Sequence, residues 1–232
     1  MLDTWLDETS TRLRRETDPL VTLSYAQSLD GSISLQRGKP LPLSGAESMR
    51  LTHRLRASHD AILVGIGTVE SDDPQLTVRQ VAGESPVPVI LDSHLRTSAN
   101  ARVFHHPKKP LLACLEAEAK TEKAQVIAKA GATLLPVGGD KDGHISLSDL
   151  LNSLYQRGIK SVMVEGGATV IAAFLRKGLV DRVVVTIAPV FVGGLNAVEK
   201  PVGAPANGLL KLKDAKVEAV GNDFVIYGEF DR

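Results

Sequence analysis

The chain has 232 residues, 43% of them hydrophobic and 23% charged, a balance that suits one large α/β domain with a substantial core. Its 27 basic and 27 acidic residues cancel, so no global field draws it to nucleic acid or to an anionic membrane. No apolar run approaches the roughly 20 residues of a membrane span, and the opening "MLDTWLDETSTRLRRETD" is too polar for a signal peptide, so the expectation is a soluble, cytosolic protein.

Leu2, Trp5, Leu6, Thr9 and Leu13 recur at helical spacing, which predicts a short amphipathic helix ending before Pro19. Residues 1–19 are therefore expected as a helical extension and residues 20–232 as the main domain. "LVTLSYAQSLDGSISL" predicts a strand, a turn at Asp30-Gly31 and a short extended return. In "SGAESMRLTHRLRAS", Ser44 and Glu47 have the capping-box spacing, so a helix begins there. Its apolar stripe runs through Met49, Leu51 and Leu55, with Arg50, Arg54 and Arg56 on other faces.

After that helix the chain alternates. "DAILVG", "VPVILD" and "PLLACL" predict strands, and the single cysteine, Cys114, reads as a buried strand position in the last of them. A helix over residues 120–130, the strand "ATLLPVG" and the capped helix "SLSDLLNSLYQRG" follow, then the strand "KSVMVEGG" and the helix "ATVIAAFLRKG" stopped by Gly178. The end differs: "DRVVVTIAPVFVGG" predicts one long β-branched strand, and "AKVEAVGNDFVIYGEF" two strands about a turn at Gly221, Asn222 and Asp223. "GGLNAVEKPVGAPANG" is linker-like. Together these elements predict an α/β fold of three layers, with a mostly parallel central sheet, helices on both faces and an antiparallel C-terminal hairpin at one edge.

In such sheets ligands bind beyond the carboxyl ends of the strands, and three of those ends are rich in polar or small residues. In "VEGGATV", Gly166 and Gly167 precede a helix start and suit a phosphate, with Thr169 as a further donor. Glu165, at the end of an apolar strand, needs a partner, either a ligand with N–H donors or a structural arginine. In "VGIGTVESDDPQLTVR", Glu70 stands where a dinucleotide fingerprint needs its third glycine, so the stretch fails as a Rossmann loop. There Thr68 suits a cap on the turn, and Asp72 or Asp73 an acceptor of main-chain bonds around Pro74. In "ILDSHLR", Asp92 and Ser93 end a strand and Arg96 follows. Arg56, Arg79 and Arg96 are the candidates for holding a phosphate, because a guanidinium matches it in a two-pronged grip. No nucleophile–base order stands out, and His105-His106 lacks the spacing of a metal site, so cofactor chemistry is the expectation and no metal.

The segments "SLDGSIS", "LRASHDAILVGIGTVESDDPQLTVR", "VILDSHLR", "VEGGATV" and "GLVDRVVVTIAPVFVGG" occur in an order that resembles the pyrimidine reductases of riboflavin biosynthesis, over about residues 20–230. That family includes the reductase domain of a bifunctional deaminase/reductase and a stand-alone archaeal and fungal type. The resemblance implies a dihydrofolate-reductase-like fold, a homodimer, and NADPH-dependent reduction of a phosphoribosylaminopyrimidine to the ribitylamino compound, with hydride delivered to C1′ of the opened ribose. It implies cofactor contacts at Ala26 in a cofactor-side loop, at Thr68, Asp72, Asp92, Ser93, His94 and Leu95, and at Gly166, Gly167, Ala168 and Thr169. Substrate contacts would fall on Arg56, Leu76, Arg79 and Glu165, with Ser93 between the two ligands. Departures from the bifunctional pattern are Ser24 in place of a lysine, Pro40 and Pro42 in place of serine and tryptophan, and no deaminase before Leu20. They lean toward the stand-alone type and leave the general acid unassigned, with Asp30 as a weak candidate. The diamino and the deaminated pyrimidine both stay open as substrate, as does NADH in place of NADPH. Two other functions also stay open: a related oxidoreductase acting on a pterin, carbonyl or imine, and a homologue that binds nucleotide without turnover.

Overall fold

The computed structural model describes residues 2–12, 17–198 and 209–230. Helix α1 (Leu2–Arg12) leads to strand β1 (Leu20–Ser28), the short strands β2 (Ser32–Gln36) and β3 (Lys39–Pro40), and helix α2 (Ala46–Ala57). Next come β4 (Ala61–Gly65), α3 (Ile66–Asp72), β5 (Val87–Leu91), β6 (Leu111–Leu115), α4 (Glu122–Lys129) and β7 (Thr133–Val137). Then α5 (Leu147–Gln156), β8 (Ser161–Val164), α6 (Ala168–Arg176) and β9 (Arg182–Ala188) continue the alternation, before β10 (Leu195–Asn196), β11 (Leu212–Val220) and β12 (Asp223–Phe230).

Nine strands form one sheet in the order β11-β12-β9-β1-β8-β4-β5-β6-β7, and β10, β2 and β3 form a small second sheet. The large sheet is parallel from β9 through β7, while β12 pairs antiparallel with both β9 and β11. Because strand side chains alternate, β4 feeds two cores at once. Ala61 and Leu63 pack with Leu150, Leu154, Ile171 and Phe174 of α5 and α6, whereas Ile62 and Val64 pack with Val69 and Ile127 of α3 and α4. The predicted three layers and edge hairpin are both present.

The opposite face of β8, β9 and β12 is covered by α1 and α2. Leu2, Trp5 and Leu6 are buried there with Leu51, Leu55, Met163, Val184, Val225 and Tyr227. Beneath them lies Arg182, 1% exposed. It donates to the Leu6 carbonyl at 2.9 Å and the Thr22 hydroxyl at 2.9 Å, and it sits 5.8 Å from the Trp5 ring centre. Burial lowers its pKa to about 10, against the opposing pull of Asp181, Glu229 and Asp7. His59 lies alongside, its Nε2 2.8 Å from the Thr22 hydroxyl, and burial next to Arg182 brings it down to about 4. The N-terminal helix is thus part of the core, held by a buried cation as well as by apolar area.

Several local expectations give way to tertiary partners. Helix α2 is capped by Gly45, not Ser44, and has no side-chain cap bond; the Gly45 N–H instead donates to Asp223 Oδ2 at 2.8 Å. A carboxylate from a distant strand has satisfied the orphan donor of the helix end. Asp223 accordingly belongs to β12, and the hairpin turns on Gly221, at φ 62°, and Asn222. Ala26 lies within β1, paired with Thr186, and not in a loop. Strand β9 ends at Ala188, before Pro189, and the region read as a linker contributes β10. Leu13 and residues 199–208 lie outside the described residues. Replacing Trp5 by Ala is expected to destabilise the protein by about 3 kcal/mol, read as a lower urea midpoint at unchanged slope; an unchanged midpoint would mean that α1 does not dock.

Candidate active site

From β4 the chain proceeds through α3 to β5, whereas from the adjacent β8 it proceeds through α6 to β9, on the far side of β1. The connections depart in opposite directions and over opposite faces, so a crevice opens beyond the carboxyl ends of β4 and β8. Glu165 stands at its floor, its N–H extending the ladder to the Leu63 carbonyl at 3.0 Å.

The glycines at this rim have distinct duties. A Cβ on Gly65 would come within 2.7 Å of the Val170 side chain, and one on Gly166 within 3.0 Å. Both residues are small so that α6 can close on the strand ends. Gly167 caps α6, and its N–H donates to the Thr68 hydroxyl at 3.2 Å, tying the α6 entrance to α3. Thr68 lies inside α3 rather than capping a turn, since residues 66–72 wind into a helix. Asp73, left-handed at φ 40°, ends that helix and accepts the Arg102 N–H at 2.8 Å; Asp72 is exposed and accepts the Ser71 hydroxyl.

Across the crevice, Arg56 reaches over from the last turn of α2. Its Nη2 donates to both Glu165 oxygens at 2.8 Å, and its Nη1 to the Thr77 carbonyl at 3.0 Å. The pair is well shielded, at 11% and 17% side-chain exposure. The structural arginine is therefore the partner that Glu165 finds within the chain. These bonds commit most of the Arg56 donors, whereas Arg79 is exposed, with one side-chain bond to the Thr77 hydroxyl at 2.7 Å. Partial burial foremost, then the charges of Arg56 and Arg102, lower the Arg79 pKa. Arg96 is occupied elsewhere, 3.4 Å from Glu70 on α3.

Several sequence candidates have internal duties. The Leu76 side chain is 2% exposed in the core, and the residue holds a left-handed φ of 56°, so only its main chain can face a ligand. The Asp92 carboxylate is fully buried and accepts the Arg96 and Thr97 N–H groups and the Thr97 hydroxyl, which shapes the loop after β5. Ser93 is half-buried in that loop and Leu95 is buried in the same core as Leu76, while His94 points outward to Glu118 at 3.1 Å. Asp30, the weak candidate for the general acid, is enclosed by donors: its two oxygens accept the Ser28 and Ser32 hydroxyls at 2.6 and 2.7 Å and the Val192 and Gly193 N–H groups at 2.9 and 2.8 Å. The hydroxyl bonds foremost hold its carboxyl far below the usual range. It has no proton to give at neutral pH. Sequence inspection missed His53 and Thr77; the only signal was His53 one helical turn before Arg56.

A family model for the RibD C-terminal domain matches residues 19–226. The chain belongs to the RibD C-terminal domain family. Among its relatives, an Archaeoglobus fulgidus protein named 2,5-diamino-6-ribosylamino-4(3H)-pyrimidinone 5′-phosphate reductase is 36% identical over 92% of this chain and 99% of its own length. A Methanothermobacter thermautotrophicus protein of the same name is 40% identical over 77% of this chain and 82% of its own. Among solved structures, Saccharomyces cerevisiae Rib7, a riboflavin biosynthesis reductase, superposes with a TM-score of 0.78 at 28% identity over 99% of both chains. Acinetobacter baumannii RibD gives 0.79 at 27% identity, with this chain spanning 59% of that longer one. An Enterococcus faecalis dihydrofolate reductase, at 13% identity and a TM-score of 0.50, shares the fold alone.

The packing at the RibD-family rim yields a direct test. Gly65→Ala is expected to destabilise by about 1–3 kcal/mol through overpacking, and Val170→Ala in the same chain should recover part of the loss. Strict additivity of the two changes in urea unfolding would show that they do not meet.

Proposed function

We propose that this chain reduces 2,5-diamino-6-ribosylamino-4(3H)-pyrimidinone 5′-phosphate to its ribitylamino counterpart, the reaction named in its archaeal relatives. The observation that carries this reading is the Arg56–Glu165 pair seated beside the Gly166–Gly167 turn at the switch point of the sheet. The cofactor is NADPH, and it supplies the hydride. The rim suits its diphosphate: Ala168 and Thr169 open α6, where N–H groups lack intrahelical acceptors and the dipole favours an anion. Thr169 is exposed, and a Cβ on Gly67 of the facing α3 would meet nothing within 4 Å. Thr68, Asp72, Ala26 and the loop of Asp92, Ser93, His94 and Leu95 border the cofactor, with Ser93 between it and the pyrimidine.

Glu165 retains lone pairs beyond those Arg56 occupies, and it accepts the ring and amino N–H groups of the pyrimidine. Arg56 holds that carboxylate in orientation. Arg79, with Arg102 near it, takes the substrate phosphate, and the main chain at Leu76 lines the wall. Once the ribose ring has opened to the imine, with the ring oxygen taking up the amine proton, the hydride that NADPH would supply adds to C1′ and a proton to the ribityl nitrogen, which converts the C=N bond to the ribitylamine. Four hydrogen bonds favour the ionised Asp30 carboxylate, so we assign the proton to water or the substrate phosphate.

The charge-assisted contacts made by Glu165 and Arg79 are each worth about 1.5–3 kcal/mol. Glu165→Gln and Arg79→Ala should therefore raise the KM for the pyrimidine phosphate about 10- to 100-fold while leaving NADPH binding intact, and Gly167→Asp should do the reverse. Equal loss of both ligands in all three variants would defeat the assignment. We also propose a homodimer joined along β11, an edge strand exposed over most of its length, with Val217 62% exposed. A monomer mass by light scattering would remove that proposal.

A further inference from the structure

The rim segment over residues 76–79 is neither helix nor strand, yet its course is fixed group by group. The Thr77 carbonyl accepts from Arg56 at 3.0 Å, the Val78 N–H donates to the Ser85 hydroxyl at 3.0 Å, and the Arg79 N–H donates to His53 Nδ1 at 3.2 Å. Leu76, buried and left-handed at φ 56°, begins the segment, a conformation that persists only where the surroundings impose it. Two of the three pegs, His53 and Arg56, lie one turn apart on the same face of α2.

We infer that His53 is a positioning residue for substrate binding: by accepting the Arg79 main-chain N–H it sets where the Arg79 guanidinium stands relative to the Arg56–Glu165 pair. The inference rests on the proposed role of Arg79 toward the substrate phosphate. A main-chain N–H can only donate, so Nδ1 carries no proton and the imidazole is the neutral form protonated at Nε2. His53 is fully buried, and Nε2 has no hydrogen-bond partner among the described residues. Desolvation first, then the charges of Arg56 and Arg79, lower its pKa to about 4, which keeps the acceptor available at neutral pH. His59, one and a half turns on, uses its ring the other way, with Nδ1 donating to the Leu55 carbonyl at 2.6 Å. Helix α2 thus acts as a ruler, one turn long, between Arg56, which holds Glu165, and His53, which holds the Arg79 main chain.

Steady-state kinetics of H53L, H53N, R79A and the H53L/R79A double variant, with the diamino-pyrimidinone phosphate and NADPH varied separately, test this. A misplaced binding group has a large effect, so H53L should raise the pyrimidine KM about tenfold with kcat and the NADPH KM within about twofold. Asn places a carbonyl oxygen near the Nδ1 position, so H53N should restore most of that KM. In the R79A background H53L should add nothing further, since it acts through a side chain already removed. If H53L does not fold, H53Q replaces it; its amide extends past the Nδ1 position, and the same KM rise is expected. An unchanged pyrimidine KM in H53L or H53Q, alongside a raised one in R79A, would overturn the role of His53 and leave the site standing. An unchanged KM in R79A itself would overturn both.

Discussion

A guanidinium and a carboxylate meeting across the crevice hold this site together. Arg56 comes from a helix on one face of the sheet and Glu165 from the end of a central strand, and the two meet at 2.8 Å with little access to water. Removing one partner of such a pair leaves a charge that burial penalises, at about 3–5 kcal/mol, whereas the intact pair contributes little net stability. Its value is geometric. It holds the carboxylate in one orientation, pins the Thr77 carbonyl, and spans the gap between β8 and the loop that carries Arg79.

The same economy of polar groups runs through the rim. Asp30 gathers four donors and anchors residues 192–193 over the β1–β2 turn, while Asp92 turns the chain after β5. Thr68 joins α3 to the α6 entrance, and Glu70 joins α3 to Arg96. These groups build a stiff frame from short loops, with Arg79 and Thr169 exposed and Glu165 partly so. On the same face as α2, Arg182 performs a comparable service for α1, drawing the N-terminal helix onto the sheet through the Leu6 carbonyl and the Trp5 ring.

Much of the fold was legible because strand and helix periods are local. The run Ala61–Gly65 splits its residues between two cores, and Leu147, Leu150, Leu151 and Leu154 form a helical stripe, as their spacing requires. What failed were details that local spacing does not control. The Ser44–Glu47 pattern suggested a capping box, but Asp223 reached the helix end first. Thr68 suggests a cap, yet residues 66–72 wind into α3 around it and its hydroxyl accepts the Gly167 N–H instead. Asp30 stands at a turn the sequence marks, but its four donors, two nearby serines and two distant N–H groups, are set by the fold.

Alternating apolar runs, turn residues and the order of a few motifs determined the layers, the parallel sheet and the family, because each depends on residues close together in the chain. Sequence also marked which side chains carry charge at the strand ends. Tertiary structure alone decided which of those charges are spent on one another and which remain for a ligand. That choice depends on contacts between residues far apart in sequence, such as Arg56 with Glu165, and no local pattern encodes them.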